Sequence, residues 1–408
     1  MKDRGNKAFT GVNSNILDDY AEYTRNVKKS VAVAVKEFEM KKAAYQWQRA
    51  ASAKTGSLDL NALHAYKTND DIFKRVTQLA NSKNHGMMMI IDYSGSMAST
   101  LPQVLDQLIH LVTFCKAVNI PFDVYAFTTH GVYDWENTGR KQIDGEVEWD
   151  NLVMPQLISS TLKKAEYELA LKHLYARKIA LSNRYGRNWD DEYFDEDLII
   201  SKKYESWGST PLNTALMTVH HLIKDFRKKN AVEKMNLVVL SDGDSNGLRV
   251  IRDYNLSDKI ADTNSWSGPA KLIVDGKMVK SAGRRTSATT SLLENLQKRY
   301  GVTTLGFFIA QDRHDWNTKI GQIGGRSLSD DMRKQYTKNK VAIKDNALGY
   351  NKFFMLKPNK DLNAQTEEFG EMVNDEMSTA QIRNSFKKYS KGKKNSKVLM
   401  KQFGGIVA

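Results

Sequence analysis

The sequence predicts an α/β fold with a doubly wound, mostly parallel sheet, and three observations support this fold class. Short strands that are apolar throughout alternate along the chain with amphipathic helices, which is typical of a parallel sheet covered on both faces. With 408 residues, the chain is long enough to bury a large core. Carboxylate and hydroxyl side chains follow several of the strands, at the edge where open α/β sheets bind ligands.

An N-terminal helical segment is predicted over residues 1–84. Residues 16–53 are charged and rich in alanine, and their apolar side chains recur mostly at helical spacing. A second helix is predicted from Asp70 to Asn81, ahead of an Asn-His-Gly turn at residues 84–86.

The principal domain is predicted over residues 85–358. Its strands are short apolar runs, and its helices show apolar side chains at intervals of three to four residues. The predicted strands are Gly86–Asp92, Phe122–Phe127, Leu237–Leu240, Val302–Ile309 and Phe353–Leu356, and the predicted helices are Leu101–Val118, Leu212–Phe226 and Ser287–Tyr300.

Two additions to this domain are predicted. Residues 131–205 form an insertion in which two polar, aromatic-rich patches flank a helix from Leu162 to Leu181. The aromatic side chains of these patches either pack the insertion or form a rim that binds a partner. Residues 271–280 form a hairpin, because Asp275-Gly276 is a favoured two-residue turn between apolar pairs.

Residues 359–408 are predicted to be a helical, basic C-terminal tail. Between Arg383 and Lys401 the chain has eight basic residues and no acidic residue, and the whole chain has a formal net charge of +14. Such a tail is either a solvated helix or a docking segment for an acidic protein or a nucleic acid.

Composition excludes several classes of protein. The single cysteine, Cys115, lies in an apolar helical stretch, so a disulfide scaffold is excluded and a reducing, cytoplasmic environment is expected. The N-terminal residues have no apolar leader, and the apolar run from Met87 to Ile91 is far shorter than the roughly 20 residues of a membrane span. We therefore expect a soluble protein without a membrane partner.

Three loops carry oxygen ligands that together predict a metal site. Asp92, Ser94 and Ser96 follow the first strand of the domain, Thr210 precedes a helix, and Asp242 follows the strand that ends near residue 240. Loops at the carboxyl ends of strands in an open sheet converge on one crevice. Carboxylates and hydroxyls, without imidazole or thiolate, suit Mg²⁺ or Mn²⁺.

This set of residues resembles the metal-ion-dependent adhesion site (MIDAS) of von Willebrand factor A (vWA) domains, which have a Rossmann-like fold. The resemblance rests on Asp-x-Ser-x-Ser at 92–96, on a distant Thr before Pro at 210–211, and on Ser-Asp-Gly at 241–243. It implies that Ser94, Ser96 and Thr210 bind the ion directly or through water, and that Asp92 and Asp242 hold it in the same way. An acidic residue of a partner would then complete the ion's shell.

A narrower resemblance concerns the segment ahead of this domain. It is similar to the cobaltochelatase T subunit (CobT type) of cobalamin biosynthesis, over the C-terminal half of the usual subunit. The type includes bacteriophage relatives and typically accompanies a MoxR/CobS-like AAA+ ATPase, so the resemblance implies such a partner. It is carried by Tyr45, Arg49-Ala50, Lys54-Thr55-Gly56, Leu58-Asp59, Leu63, Tyr66-Lys67, Asp70 to Phe73 and Phe127-Thr128-Thr129.

The sequence leaves three functional interpretations. The first is a non-catalytic, metal-dependent binding subunit that works with an AAA+ ATPase to remodel a client or assist metal insertion. The second is a stand-alone adhesion or scaffold protein, and the third is a basic protein associated with nucleic acid. No P-loop motif occurs, so we expect no ATP hydrolysis by the chain alone. The pattern Gly243-x-Ser245-x-Gly247 matches a nucleophile elbow but lacks the helix that should follow the serine.

Overall fold

The sheet and the helices that cover it are described by a computed structural model. It describes residues 14–48, 51–58, 73–78, 84–129, 152–186, 208–242, 245, 248–251, 260–263, 272–274, 276–279, 288–310, 314, 316–319, 330, 332, 334–335 and 341–356.

The N-terminal segment contains the predicted long helix but not the predicted second helix. Helix α1 spans Ser14–Gln48. The helix expected from Asp70 to Asn81 is wrong, because Phe73–Gln78 is a strand, β2, that pairs antiparallel with β1, Ala51–Leu58. The predicted helix had only twelve residues, a length that is marginal without tertiary packing. As a strand, residues 73–78 have their backbone groups paired in the ladder to β1, whereas a short helix would leave many of them unpaired.

The central sheet has eight strands among the described residues, in the order β13-β14-β12-β7-β3-β4-β5, with β6 also paired to β4. The pairs among β4, β3, β7, β12 and β14 are parallel, whereas β5, β6 and β13 run antiparallel to their neighbours. The five strands predicted from apolar runs are all present. The strands are β3 (His85–Asp92), β4 (Phe122–Thr129), β5 (Leu152–Val153), β6 (Gln156–Ser159), β7 (Lys234–Ser241), β12 (Val302–Ile309), β13 (Val341–Ala347) and β14 (Tyr350–Leu356).

Helices cover both faces of this sheet, which confirms the predicted doubly wound α/β class. The side chains of β3 alternate between two cores, Met87, Met89 and Ile91 to one side and Met88 and Ile90 to the other. The first core includes α1, α2 (Leu101–Ala117) and α3 (Lys164–Gly186), and the second includes α4 (Leu212–Asn230) and α5 (Ala288–Tyr300).

The predicted insertion is in part a component of the central fold. Its middle provides strand β6, which pairs with β4, and helix α3, which packs on the first core through residues such as Leu171 and Leu174. The helix predicted from Leu162 to Leu181 is present as α3. Strand β6 was not predicted, because a four-residue strand with only two apolar side chains, Leu157 and Ile158, gives almost no periodic signal. The rest of the insertion, with its aromatic patches, lies outside the described residues.

Two short hairpins stand apart from the central sheet. Strands β8 (Leu248–Ile251) and β9 (Ile260–Thr263) pair with each other, as do β10 (Leu272–Val274) and β11 (Lys277–Val279). The second pair confirms the predicted hairpin, and Gly276 has a positive φ of 66°, as a glycine in such a turn requires. The basic tail lies outside the described residues. Among the helices that are described, none is both long enough and apolar enough to span a membrane.

Candidate metal site at the carboxyl edge of the sheet

The strand order places the candidate site at the topological switch point of the sheet. The parallel strands lie in the order β14-β12-β7-β3-β4. After β3 the chain adds β4 on one side and later adds β7, β12 and β14 on the other side, so the switch point lies between β3 and β7. In open α/β sheets, ligands bind in the crevice at the carboxyl ends of such a pair of strands. Strand β3 ends at Asp92 and β7 ends at Ser241, immediately before Asp242.

Asp92 is fully buried and fixed by two hydrogen bonds. Its Oδ1 accepts from the backbone N–H of Ser94 at 2.9 Å, and its Oδ2 accepts from the hydroxyl of Ser241 at 2.7 Å. The first bond closes the turn that leads out of β3. The second bond crosses from β3 to β7, so the carboxylate is held by both strands of the switch point.

Ser94, Ser96 and Asp242 continue the same polar network. The hydroxyls of Ser94 and Ser96 lie 3.1 Å apart, and the hydroxyl of Ser96 donates to Oδ1 of Asp242 at 3.0 Å. Ser94 and Asp242 are buried, whereas Ser96 is exposed. The structure therefore brings together four of the five predicted ligand residues, with the network open to solvent at Ser96.

The fifth predicted residue, Thr210, is on a loop that is joined to the first. Ser94 and Gly208 form a parallel β-bridge, and the N–H of Gly95 donates to the carbonyl of Gly208 at 3.0 Å. Thr210 follows two residues later and is half-buried. Within the described residues no hydrogen bond joins its hydroxyl to the other four side chains. The backbone brings this loop to the site, and Pro211, the N-cap residue of α4, follows directly.

Two threonine side chains at the end of β4 hold the Thr210 loop in place. Thr128 accepts a hydrogen bond from the N–H of Gly208 at 3.1 Å, and Thr129 accepts one from the N–H of Ser209 at 2.8 Å. A Cβ atom at Gly208 would lie 2.3 Å from Oγ1 and 2.4 Å from the carbonyl oxygen of Thr129. Glycine is therefore required at this position by the close approach of the loop to the strand.

A buried cation–π contact supports the first loop from the other side. The guanidinium carbon of Arg177, on α3, lies 4.5 Å from the centroid of the Tyr93 ring, and both side chains are almost completely buried. The N–H of Tyr93 donates to the carbonyl of Phe127 at 3.0 Å. The residue between Asp92 and Ser94 is thus packed between a helix and strand β4, so the loop has little freedom to move.

The electrostatics of the site favour a cation. The pKa of Asp92 is raised to about 6, mainly by burial and to a smaller extent by the charge of Asp242, although hydrogen bonds from Ser241 and Ser94 act in the opposite direction. Two carboxylates in one crevice repel each other, and a divalent ion between such groups removes the repulsion.

The donor set fits a hard divalent cation. It consists of two carboxylates and three hydroxyls, which are the ligands that Mg²⁺ and Mn²⁺ accept while keeping water or an external ligand. Among the described residues, no cluster contains three or more His, Cys, Asp or Glu side chains placed to hold a metal ion. Binding here would therefore depend on the hydroxyls as much as on the carboxylates.

Ser245 has a structural contact that differs from the nucleophile-elbow pattern. Its hydroxyl accepts a hydrogen bond from the backbone N–H of Asn213, near the start of α4, at 2.9 Å. Strand β8, not a helix, follows the serine. Both features agree with the sequence argument against a hydrolase at this position.

Three features of the site were not found from the sequence. The sequence analysis treated Ser241 only as part of its loop and did not predict its bond to Asp92. Its position at a strand end, directly before Asp242, could have indicated this role. Thr128 and Thr129 entered only through the family resemblance, and Arg177 fell in the predicted insertion.

Comparison with known proteins finds similarity to solved structures but not to a family model or a curated protein. No protein-family model matches the sequence, and no curated protein matches it. Several solved structures are similar at low TM-score. The pilus adhesin SpaC of Lactobacillus rhamnosus GG, in its open conformation, is 13% identical with a TM-score of 0.33, over 71% of this chain and 30% of SpaC. The vWF domain of the type V pili tip protein Mfa5 from Porphyromonas gingivalis is 10% identical with a TM-score of 0.32, over 73% of this chain and 99% of that domain. The human COPII-coat protein Sec24c is 11% identical with a TM-score of 0.29, over 72% of this chain and 32% of Sec24c. This chain thus spans about a third or less of the length of SpaC and of Sec24c.

Proposed function

We propose that this chain is a vWA-type, Mg²⁺-dependent protein-binding subunit. Its MIDAS would be formed by Asp92, Ser94, Ser96, Thr210 and Asp242, with Mn²⁺ as an alternative ion. The observation that carries the proposal is the continuous network from Ser241 through Asp92 and Ser94 to Ser96 and Asp242 at the sheet's switch point. This network presents oxygen ligands at the carboxyl edge of the sheet, where open α/β sheets commonly bind ligands.

The proposed ligand is a carboxylate on a partner protein. The two aspartates would balance the formal charge of a bound Mg²⁺, and the ion would keep an open coordination position that an external oxygen can fill. The residues of this chain would orient that position. Ser96 is the exposed member of the network, so the approach to the site is on its side.

The proposed partner is a MoxR/CobS-type AAA+ ATPase, with which the chain would remodel a client or assist metal insertion. This part of the proposal follows from the resemblance to the cobaltochelatase T subunit at residues 45–73 and at Thr128-Thr129. We expect the purified chain to hydrolyse no ATP and to change the turnover of such an ATPase. ATP turnover that follows the protein peak through successive purification steps would contradict this assignment.

Calorimetry on the isolated chain tests the metal site. We expect Asp242→Ala to abolish Mg²⁺ binding while leaving the fold intact, since the change removes an oxygen ligand and no apolar side chain. Glu233→Ala is the matched control, because it removes an exposed carboxylate just before the opposite end of β7. Equal Mg²⁺ affinity and stoichiometry in both variants would refute the assignment of the site.

A pull-down with a MoxR/CobS-type ATPase as bait tests the role of the ion in partner binding. We expect the complex to be lost in EDTA, restored by Mg²⁺ or Mn²⁺, and weakened by Thr210→Ala, which leaves the formal charge of the site unchanged. Ser209→Ala, at the exposed neighbouring position, should bind as the unmodified chain does. Binding that persists undiminished in EDTA would mean that other surfaces hold the partner.

A further inference from the structure

An apolar groove lies between helices α1, α2 and α3, on the face of the central sheet that carries the first core. Its volume is about 740 Å³. The floor is aliphatic and is formed by Val27 and Val31 of α1, Ile109 of α2 and Leu171 of α3. Val27 and Val31 also belong to the first core, so the groove opens directly onto that core. A groove between helices with an aliphatic floor is a common seat for an amphipathic helix.

The rim of this groove is basic. Lys28, Lys116 and Lys164 line it from three different helices, and Glu168 is the single acidic residue among the described residues that line it. Lys28 and Lys164 are exposed, whereas the Lys116 ammonium donates to the carbonyl of Ser160 at 2.9 Å. An occupant that matches the groove would therefore combine an apolar stripe with acidic flanks.

The chain contains a segment with this chemistry, at residues 367–377, outside the described residues. This segment has five acidic residues and no basic residue, in contrast to the basic stretch between Arg383 and Lys401. Its apolar side chains Phe369, Met372, Val373 and Met377 recur at helical intervals. Gly370 lowers the intrinsic helix propensity by about 1 kcal/mol, so a groove that buries the apolar stripe would be needed to hold it as a helix.

The segment begins close enough to reach the groove. Strand β14 ends at Leu356, which packs in the same core as Val27 and Val31 of α1. The ten residues 357–366 can extend about 33 Å, whereas the three strand spacings from β14 to β3 amount to about 14 Å and one helix layer adds about 10 Å. The tether would give the segment a millimolar effective concentration at the groove.

We propose that residues 367–377 dock in the groove between α1, α2 and α3 as an amphipathic helix, with the apolar stripe on its aliphatic floor and the carboxylates against Lys28 and Lys164. This intrachain docking surface is separate from the metal site and does not depend on the proposed function. It would leave the basic stretch from Arg383 to Lys401 directly beyond the groove.

Cross-linking within the full chain tests this docking. In a Cys115→Ala background, the pair Ala32→Cys and Asn374→Cys places one thiol at the exposed rim of the groove and one in the segment without removing an anchor or a charge. With a short bifunctional maleimide at low protein concentration, we expect an intramolecular cross-link in most molecules. The control pair replaces Ala32→Cys with Glu22→Cys, which is exposed on α1 but outside the groove, and should cross-link several times less.

Charge reversal tests the match between the rim and the segment. Lys28→Glu with Lys164→Glu should lower the cross-linked fraction about fivefold, the effect expected of two partly exposed ion pairs. Adding Glu368→Lys and Glu371→Lys to the same chain should restore it. Equal cross-linking in both cysteine pairs, cross-links formed only between two copies of the chain, or no recovery in the compensated variant would each overturn the proposal.

Discussion

A polar junction joins α1 to the rest of the domain, and its energy can be tested directly. The hydroxyl of Tyr23 on α1 donates to Oδ1 of Asp106 on α2 at 2.8 Å, and the Lys178 ammonium on α3 pairs with the same oxygen. The Lys178 ammonium also lies 4.4 Å from the centroid of the Tyr23 ring. Burial alone would raise the pKa of Asp106, but the charges of Lys178 and His110 and its hydrogen bonds hold it below 3.8.

We expect Tyr23→Phe to lower the free energy of unfolding by about 1.5 kcal/mol, since it removes one hydrogen bond to a charged group. Asp106→Asn should cost about 3 kcal/mol, at the low end for a broken buried ion pair, because the side chains of Asp106 and Lys178 are still 17% and 15% exposed. The double variant should lose about 1 kcal/mol less than the sum, because both changes remove the same bond.

Urea denaturation followed by circular dichroism measures these differences. Tyr175→Phe is the matched control, because the Tyr175 ring packs against Tyr23 in a tilted arrangement with centroids 4.7 Å apart, whereas the hydrogen bond to Asp106 comes from Tyr23. We expect this control to change the free energy of unfolding by less than about 0.5 kcal/mol. The lowered pKa of Asp106 means that its contribution is complete above pH 3.8 and is lost as the pH falls through the folded-state value. Equal stabilities of Tyr23→Phe and Tyr175→Phe, with no coupling to Asp106→Asn, would refute the idea that this bond fastens α1.

Three further predictions concern the site and the strand that leads to it. Ser241→Ala should lower the free energy of unfolding of the metal-free chain by about 2 kcal/mol, because the buried Asp92 carboxylate loses a donor; unchanged denaturation midpoints would contradict this. Gly208→Ala should cost about 1–3 kcal/mol and weaken Mg²⁺ binding, since the new Cβ collides with the carbonyl of Thr129, and a crystal structure with an undisplaced loop would disprove it. Burial lowers the pKa of His85 from 6.5 to about 4, so the unfolded chain binds more protons than the folded chain between these pH values, and the free energy of unfolding falls as the pH drops from 6.5 to 4. His85→Gln should reduce this fall by about 1 kcal/mol after allowance for the partial exposure of the side chain. Urea titrations at a series of pH values would measure the difference.

The central fold could be predicted because its strands are buried on both faces. Five consecutive apolar residues from Met87 to Ile91 are completely buried, and only a covered sheet accommodates such a run. The carboxylates and hydroxyls of the site could be predicted for the related reason that each directly follows a strand or precedes a helix. Four of the five now lie in one hydrogen-bonded network, and the fifth lies on a loop bridged to it.

The edges of the fold could not be predicted in the same way. Strand β13 contains Asp345 and Asn346, which are exposed, so its apolar pattern is weak and its place is set by pairing with β14. Strand β2 is likewise defined by its partner β1 and not by its own six residues. The contacts of Thr128 and Thr129 depend on how closely a loop 80 positions later approaches, which no local pattern encodes.

The bond between Ser241 and Asp92 joins residues 149 positions apart. It can form only when β7 has taken its place beside β3, and by then the ribosome has already synthesised α2, β4, α3 and α4. A nascent chain that stops before β7 carries the whole Asp-x-Ser-x-Ser loop but lacks both Ser241 and Asp242, the partners of Asp92 and Ser96 in the network. Parallel pairs closed over so many residues form late in folding. The polar network is therefore a marker of a completed sheet, and partially synthesised or partially folded chains would be distinguished from finished ones by its absence.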